Sequence, residues 1–305
     1  MPADAAGLSE LLSRVFSPAV GALVRWKYLE NPALSDPLIA VAQIPSGELV
    51  GCYPLLGRRF WHGGREVLAV LGADLAVLPD YRTGGELHRR LCDAAQGAAL
   101  ERGAAFAYGF PNHDAYRLSK RWFGLRDWTT LEAWTLRLRR WPGLGFSKVA
   151  PLAPAGRVTP KGAWAGLESF QEGAGVRSRE FFEWRFADPE KYRLRRGADP
   201  RAGEYLVVCR NRKSASREAV VVDFGPAASA TRLEQLLEAE IEHQKKAAAQ
   251  RLVLSCLPDS AMARAVRRCG FRRGPERDRK VTVKALAESF PVVPSHLTLA
   301  DADDP

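Results

Sequence analysis

Residues 104–125, AAFAYGFPNHDAYRLSKRWFGL, can be laid over residues 251–271, RLVLSCLPDSAMARAVRRCGF. Each stretch reads as a strand, a proline-polar turn, a helix and then glycine followed by an apolar residue. Pro111 and Pro258 lie 147 positions apart, and the same offset carries the helix pattern from Gly84 onto the one from Thr231, and the strand LGADLAVL onto EAVVVDFG. WKYLENP (Trp26–Pro32) and WRFADP (Trp184–Pro189) repeat the echo at a different offset, so loop lengths differ there. Three consecutive elements that agree in order and spacing require two copies of one α/β supersecondary unit.

Within a copy the expected order is helix, a strand meander, helix, strand, helix, strand. In the first copy LSELLSRVF and ALVRWKYL are helical, and three strands follow between Leu38 and Leu78 with turns at Ser46-Gly47 and Gly63-Gly64. A helix (Glu86 to Arg102), the strand AAFAYGF, the helix HDAYRLSKRWF and the strand AWTLRLRRW complete it. Pro and Gly recur through Arg140–Gly162 without a sustained period, which marks a linker. The expected domains are therefore 1–141 and 163–288, joined by 142–162 and followed by a short acidic tail, 289–305.

Composition narrows the function classes. No apolar run approaches the roughly 20 residues that span a bilayer, and the start lacks a basic region followed by an apolar one, so a cytoplasmic protein with no membrane span is expected. The five cysteines have no metal-ligand or CxxC spacing, and no metal site is expected. The net charge of +10 suits an anionic partner, but the basic residues are dispersed and nucleic acid is not the expected one.

The segment LPDYRTGGELHRRL (Leu78–Leu91) ends a strand, turns through two glycines and starts a helix at once. Such a layout leaves backbone N–H groups open at the positive end of a helix, where they bind phosphate without a lysine. It resembles the acetyl-CoA signature of the GNAT (Gcn5-related) N-acetyltransferases: Arg82 and Gly85 fit, while Leu87 stands where that family usually has Gly or Ala. Asn112, Ala115 and Gly124-Leu125, with Asp259 and Gly270-Phe271 in the second copy, follow in the family's order. The second copy has FGPAASATRLEQL in place of the glycine turn, with no Arg-x-x-Gly and with Pro226 lacking an N–H.

The resemblance implies two tandem GNAT-like domains, each a mixed, mostly antiparallel sheet flanked by helices, the second with a degenerate cofactor motif. It implies an N-acyltransferase that moves an acyl group from acetyl-CoA, or another acyl-CoA, to an amine of a small molecule or amino sugar. Backbone groups of Arg82, Thr83, Gly84, Gly85, Glu86 and Leu87 would hold the pyrophosphate, Leu75 and Val77 would pair with the pantetheine arm, and Asn112 would stand beside the cofactor. Asp74, on the cofactor strand, is the expected general base. The family's usual proton-donating Tyr, seven residues after the Asn, is Ser119 here, which leaves Tyr108 or Tyr116 to supply it. His113 and Asp114 read as solvated first-turn residues. Two alternatives stay open: a tandem-GNAT transferase using aminoacyl-tRNA, and a CoA-binding protein without chemistry.

Overall fold

The computed structural model describes residues 5–138, 169, 171–188, 191–196, 204–210, 217–225, 230–287 and 294–302. The expected linker 142–162 and the turn at Pro226 lie outside them. The first half runs α1 (Ala5–Val15), α2 (Pro18–Gly21), a π-turn (Arg25–Leu29), β1 (Leu38–Gln43), β2 (Leu49–His62), β3 (Arg65–Gly72), β4 (Ala76–Val77), α3 (Glu86–Glu101), β5 (Ala104–Gly109), α4 (His113–Trp122) and β6 (Arg126–Arg137). The second half runs β7 (Ala174–Gly175), α5 (Arg179–Arg185), β8 (Tyr192–Arg196), β9 (Tyr205–Arg210), β10 (Glu218–Phe224), α6 (Ala230–Lys246), β11 (Arg251–Cys256), α7 (Ala261–Arg268), β12 (Arg272–Arg273) and β13 (Arg279–Ala285). The expected helix ALVRWKYL (22–29) is thus a turn that follows α2 and runs into the π-turn, and the expected strand LGADLAVL is broken between Gly72 and Ala76.

Two compact units result. The first draws on Met1–Trp128 and Lys280–Val293, the second on Thr129–Arg279 and Pro294–Asp304. The limits read from sequence, 1–141 and 163–288, differ from these units at two strands. β6, placed by sequence in the first copy, pairs antiparallel with β11 (Leu252 opposite Leu136), and β13 pairs antiparallel with β5 (Val283 opposite Tyr108). Alternating apolar residues report that a strand is half-buried but not which sheet accepts it.

In the first unit the sheet order is β1-β2-β3-β5-β13. β3 and β5 are parallel, with α3 between them in sequence, and the other pairs are antiparallel. α3 buries Leu91, Cys92, Ala95 and Ala99, spaced along one helix stripe, against Leu55, Leu68, Val70, Ala104 and Ala107 of the sheet. It ends at Gly103, whose φ of +76° accepts the left-handed turn that closes a helix.

The second unit repeats this plan with order β6-β11-β10-β9-β8, in which only β10 and β11 are parallel, and α6 and α7 pack Leu233, Leu236, Leu237, Met262 and Val266 into its core. Leu68 faces Ala104 and Glu218 faces Arg251, which puts these strands three residues away from the offset that relates the two proline turns; past the register shift after Leu68, where Val70 faces Ala107 and Val221 faces Leu254, the difference is four. The mixed, mostly antiparallel α/β architecture expected from sequence is present in both units.

Candidate functional site

β3 pairs with β5 as far as Leu71 opposite Tyr108. The chain then bulges through Ala73, Asp74 and Leu75 and returns to β2 as β4, with Ala76 opposite Cys52 and Val77 opposite Gly51. Among the described residues β4 pairs only with β2, so its other edge is open. Asp74 makes the bulge with φ +48°, a left-handed conformation that Asp tolerates better than most residues.

The glycine turn comes next. Pro79–Tyr81 form one tight turn and Thr83–Gly85 a second, with Gly84 at φ +68° and Gly85 at φ +73°. The N–H groups of Arg82 and Gly85 are used inside the turn, donating to the carbonyls of Pro79 and Arg82. Those of Thr83 and Gly84 donate to no described residue. No side chain caps α3, whose first N–H groups, from Glu86 and Leu87 onward, have no intrahelical acceptor. The Arg82 side chain folds back, its Nε donating to the Val77 carbonyl at 2.8 Å, so it braces the turn rather than covering it. Glu86 turns aside to Arg89 (2.8 Å), which holds its exposed carboxylate below the ordinary range.

The two glycines differ in what surrounds them. A Cβ on Gly84 would have nothing within 4 Å, whereas one on Gly85 would lie 2.3 Å from the Trp122 ring of α4. Gly85 therefore lets α4 pack on the turn, and Gly84 leaves the space in front of it clear. His88 also faces Trp122, at 6.0 Å between rings, and burial, then Arg82, lowers its pKa. Its Nδ1 is buried without a partner.

The candidate acids stand elsewhere. Tyr108 is buried among aromatic rings, edge-on to Phe60 (5.5 Å) and Trp128 (6.0 Å). The Tyr116 hydroxyl donates to Asp127 Oδ1 at 2.6 Å, beside a Lys120–Asp127 ion pair of 3.0 Å. Those two hydrogen bonds, Tyr116 first, hold the Asp127 carboxyl below its usual range. Asn112 caps α4, its Oδ1 accepting from Ala115 N–H at 2.8 Å. Ser119 is buried and donates to the Tyr116 carbonyl.

Sequence reasoning missed Lys27 and Tyr28. Both lie in the π-turn, and both donate to Asp74 Oδ2 at 2.6 Å. The repeated WKYLENP segment was the available signal, since π-turns concentrate at functional sites.

The second unit is arranged differently at the matching place. β10 leaves β11 after Val221 and continues along β9 across a bulge that ends at Asp223. Asp223 is fully buried and engaged by Arg177 (two bonds of 3.0 Å), Tyr205 (2.9 Å) and Thr298 (2.6 Å). Arg177 also donates to both oxygens of Asp301 at 2.8 Å. Burial works against the Arg177 charge, yet Asp223 and then Asp301 hold it firmly protonated. Burial, then Asp223, pushes the Tyr205 hydroxyl up. No cluster of His, Cys, Asp and Glu among the described residues could hold a metal ion, and no described helix is long and apolar enough to cross a membrane.

No protein-family model matches the chain, and no curated protein matches it in sequence. Solved structures do match in fold. A GCN5-related N-acetyltransferase from Anabaena variabilis superposes with a TM-score of 0.64 at 13% identity, over 92% of this chain and 70% of that one. One from Kribbella flavida gives 0.64 at 16%, over 92% and 69%. Eis1 from Mycobacterium abscessus gives 0.55 at 19%, over 83% and 65%. A bulged strand that parts from its parallel neighbour and leads through a glycine turn into a helix thus sits in a known architecture: the chain has the fold of the GCN5-related N-acetyltransferases.

Proposed function

We propose that this chain is an acyl-CoA-dependent N-acyltransferase, with acetyl-CoA as the donor and an amine of a small molecule or amino sugar as the acceptor. The observation that carries the reading is the uncapped start of α3, fronted by the clear space at Gly84, beyond the bulge where the chain parts from β5 after β3. The residues suit an acyl-CoA: the N–H groups of Thr83, Gly84, Glu86 and Leu87, at the positive end of α3, would take its pyrophosphate. Arg82 and Gly85 would support the turn through its internal bonds. Leu75 and Val77 would offer the open edge of the bulged strand to the amide-rich pantetheine arm, and Asn112 would hold α4 alongside.

When bound, the donor supplies an activated thioester, so the protein's task is chiefly to position the amine and remove its proton. Asp74 is the proposed base. Tyr108 and Tyr116 remain the proposed proton donors, although Tyr116 would first have to leave Asp127. The second unit would bind no acyl-CoA, because its sequence FGPAASATRLEQL lacks the Arg-x-x-Gly turn and Pro226 has no N–H to donate. Calorimetric titration with acetyl-CoA tests the reading. One equivalent should bind at micromolar to millimolar concentration, and no heat of binding with a properly folded protein would end it.

A further inference from the structure

We infer that Lys27 and Tyr28 are positioning residues that commit Asp74 to a single reactive oxygen, Oδ1. The inference rests on the acyltransferase reading and deepens it.

Both donors converge on Oδ2: the Lys27 ammonium at 2.6 Å and the Tyr28 hydroxyl at 2.6 Å. Oδ1 accepts from no described residue, and it is not sealed from solvent. The Lys27 side chain is only 5% exposed and that of Asp74 14%, so the pair is held well inside the unit rather than loosely on its surface. A buried charge pair of this kind is weak evidence for stability, because desolvation offsets most of the Coulomb attraction. Its geometry is nevertheless specific. The backbone of Asp74 is left-handed at φ +48°, which fixes where Cβ points, and two donors on one oxygen then fix the rotation of the carboxylate. Among the described residues the groups that face Asp74 are Lys27 and Tyr28 from the π-turn and the Cys52 thiol from β2, which burial chiefly, and Asp74 to a lesser extent, push up to about 12. Cys52 is therefore no competing base.

The consequence is directional. As the N–C bond to the acyl group forms and the C–S bond breaks, the amine's N–H proton passes to Asp74 Oδ1 and one of the proposed tyrosines protonates the departing thiolate; solvent water afterwards takes the proton from Asp74 and returns one to the tyrosinate. In this proposal Lys27 and Tyr28 act on the reaction through Asp74 rather than on the amine or the acyl group, and this separates them from residues that merely fill space.

The test is a double-mutant cycle read as CoA release from acetyl-CoA against a panel of primary amines and amino sugars, with acetyl-CoA affinity measured in parallel. Lys27→Met should lower kcat by about ten- to a hundredfold, the scale on which an ångström of misplacement acts, with acetyl-CoA affinity unchanged. Lys27→Arg, which keeps a cationic donor, should restore most of the loss, and Tyr28→Phe should lower kcat less than Lys27→Met does. In an Asp74→Asn background Lys27→Met should cost nothing further. Additive losses in the double variant, or an unchanged kcat in both single variants, would overturn the inference. Should Lys27→Met fail to fold, Tyr28→Phe carries the same cycle with Asp74→Asn. If the wild type binds acetyl-CoA but releases CoA with no amine, the proposed reaction fails and the inference falls with it. CoA release with additive losses refutes the inference alone.

Discussion

Replacing the two turn glycines one at a time separates packing from ligand approach. Both sit at positive φ, +68° at Gly84 and +73° at Gly85, so a methyl group on either costs about 1 kcal/mol of backbone strain. At Gly84 nothing lies within 4 Å of the new Cβ, and strain is the whole cost. At Gly85 the Cβ would fall 2.3, 2.6 and 2.8 Å from three carbons of the Trp122 ring. Forcing that ring and α4 apart adds about 1–3 kcal/mol of overpacking. Gly85→Ala should therefore destabilise by about 2–4 kcal/mol in urea unfolding, against about 1 kcal/mol for Gly84→Ala. Acetyl-CoA titration should show the reverse order of directness: the Gly84 methyl would stand where the proposed pyrophosphate approaches, and should weaken binding at least about tenfold at little cost in stability. Trp122→Ala should relieve Gly85→Ala, so the double variant should be more stable than the sum of the single losses implies. Equal destabilisation by the two alanines, or unchanged acetyl-CoA affinity in Gly84→Ala, would refute this division of roles.

Further outcomes follow from the same geometry. Asp74→Asn should lower turnover by about 10²–10⁴ with acetyl-CoA affinity nearly unchanged, and the deficit should shrink as the pH approaches the amine's own pKa; a raised KM with unchanged kcat would make Asp74 a recognition residue. Acetyl-CoA should saturate at one per chain, and a stoichiometry of two would remove the proposed difference between the units. Arg177→Met should destabilise by about 3–5 kcal/mol in denaturant unfolding, since it strands Asp223 and Asp301 without their cation. His296 is half-buried with its Nε2 enclosed, and desolvation, then Arg177, holds its pKa below the reference 6.5. The unfolded chain therefore binds the proton first as pH falls below 6.5, so stability present above that pH should decline beneath it. His296→Gln should flatten the decline, as urea midpoints from pH 7.5 to 5 would show.

The parts of this arrangement that were legible in sequence are local. The repeat is visible because strand and helix periods survive divergence, and the glycine turn because positive φ has few chemical solutions. Asn112 was legible as the head of α4, where a short polar side chain satisfies a free N–H. What stayed hidden is set by partners remote in sequence. Nothing in Lys27 or Tyr28 announces Asp74, which lies 47 and 46 residues further on. The slip between the strand alignments also escaped, because residues added around a bulge leave the apolar pattern on either side intact. Tyr116 had the composition of a proton donor, and only the fold brings Asp127 to its hydroxyl.

The pairing of β5 with β13 bears on how the protein is made. Gly109 emerges from the ribosome long before Thr282, its partner across that ladder. At about 5–20 residues per second the delay is roughly ten to thirty seconds, during which one edge of β5 has no strand of its own to meet. Until then that edge is a site where another nascent chain could add, which is the usual hazard of an unpaired strand. Completion of the first unit is thereby tied to synthesis of β13, so a stop ahead of that strand would cripple the unit that carries the glycine turn even though every residue of that turn had been translated.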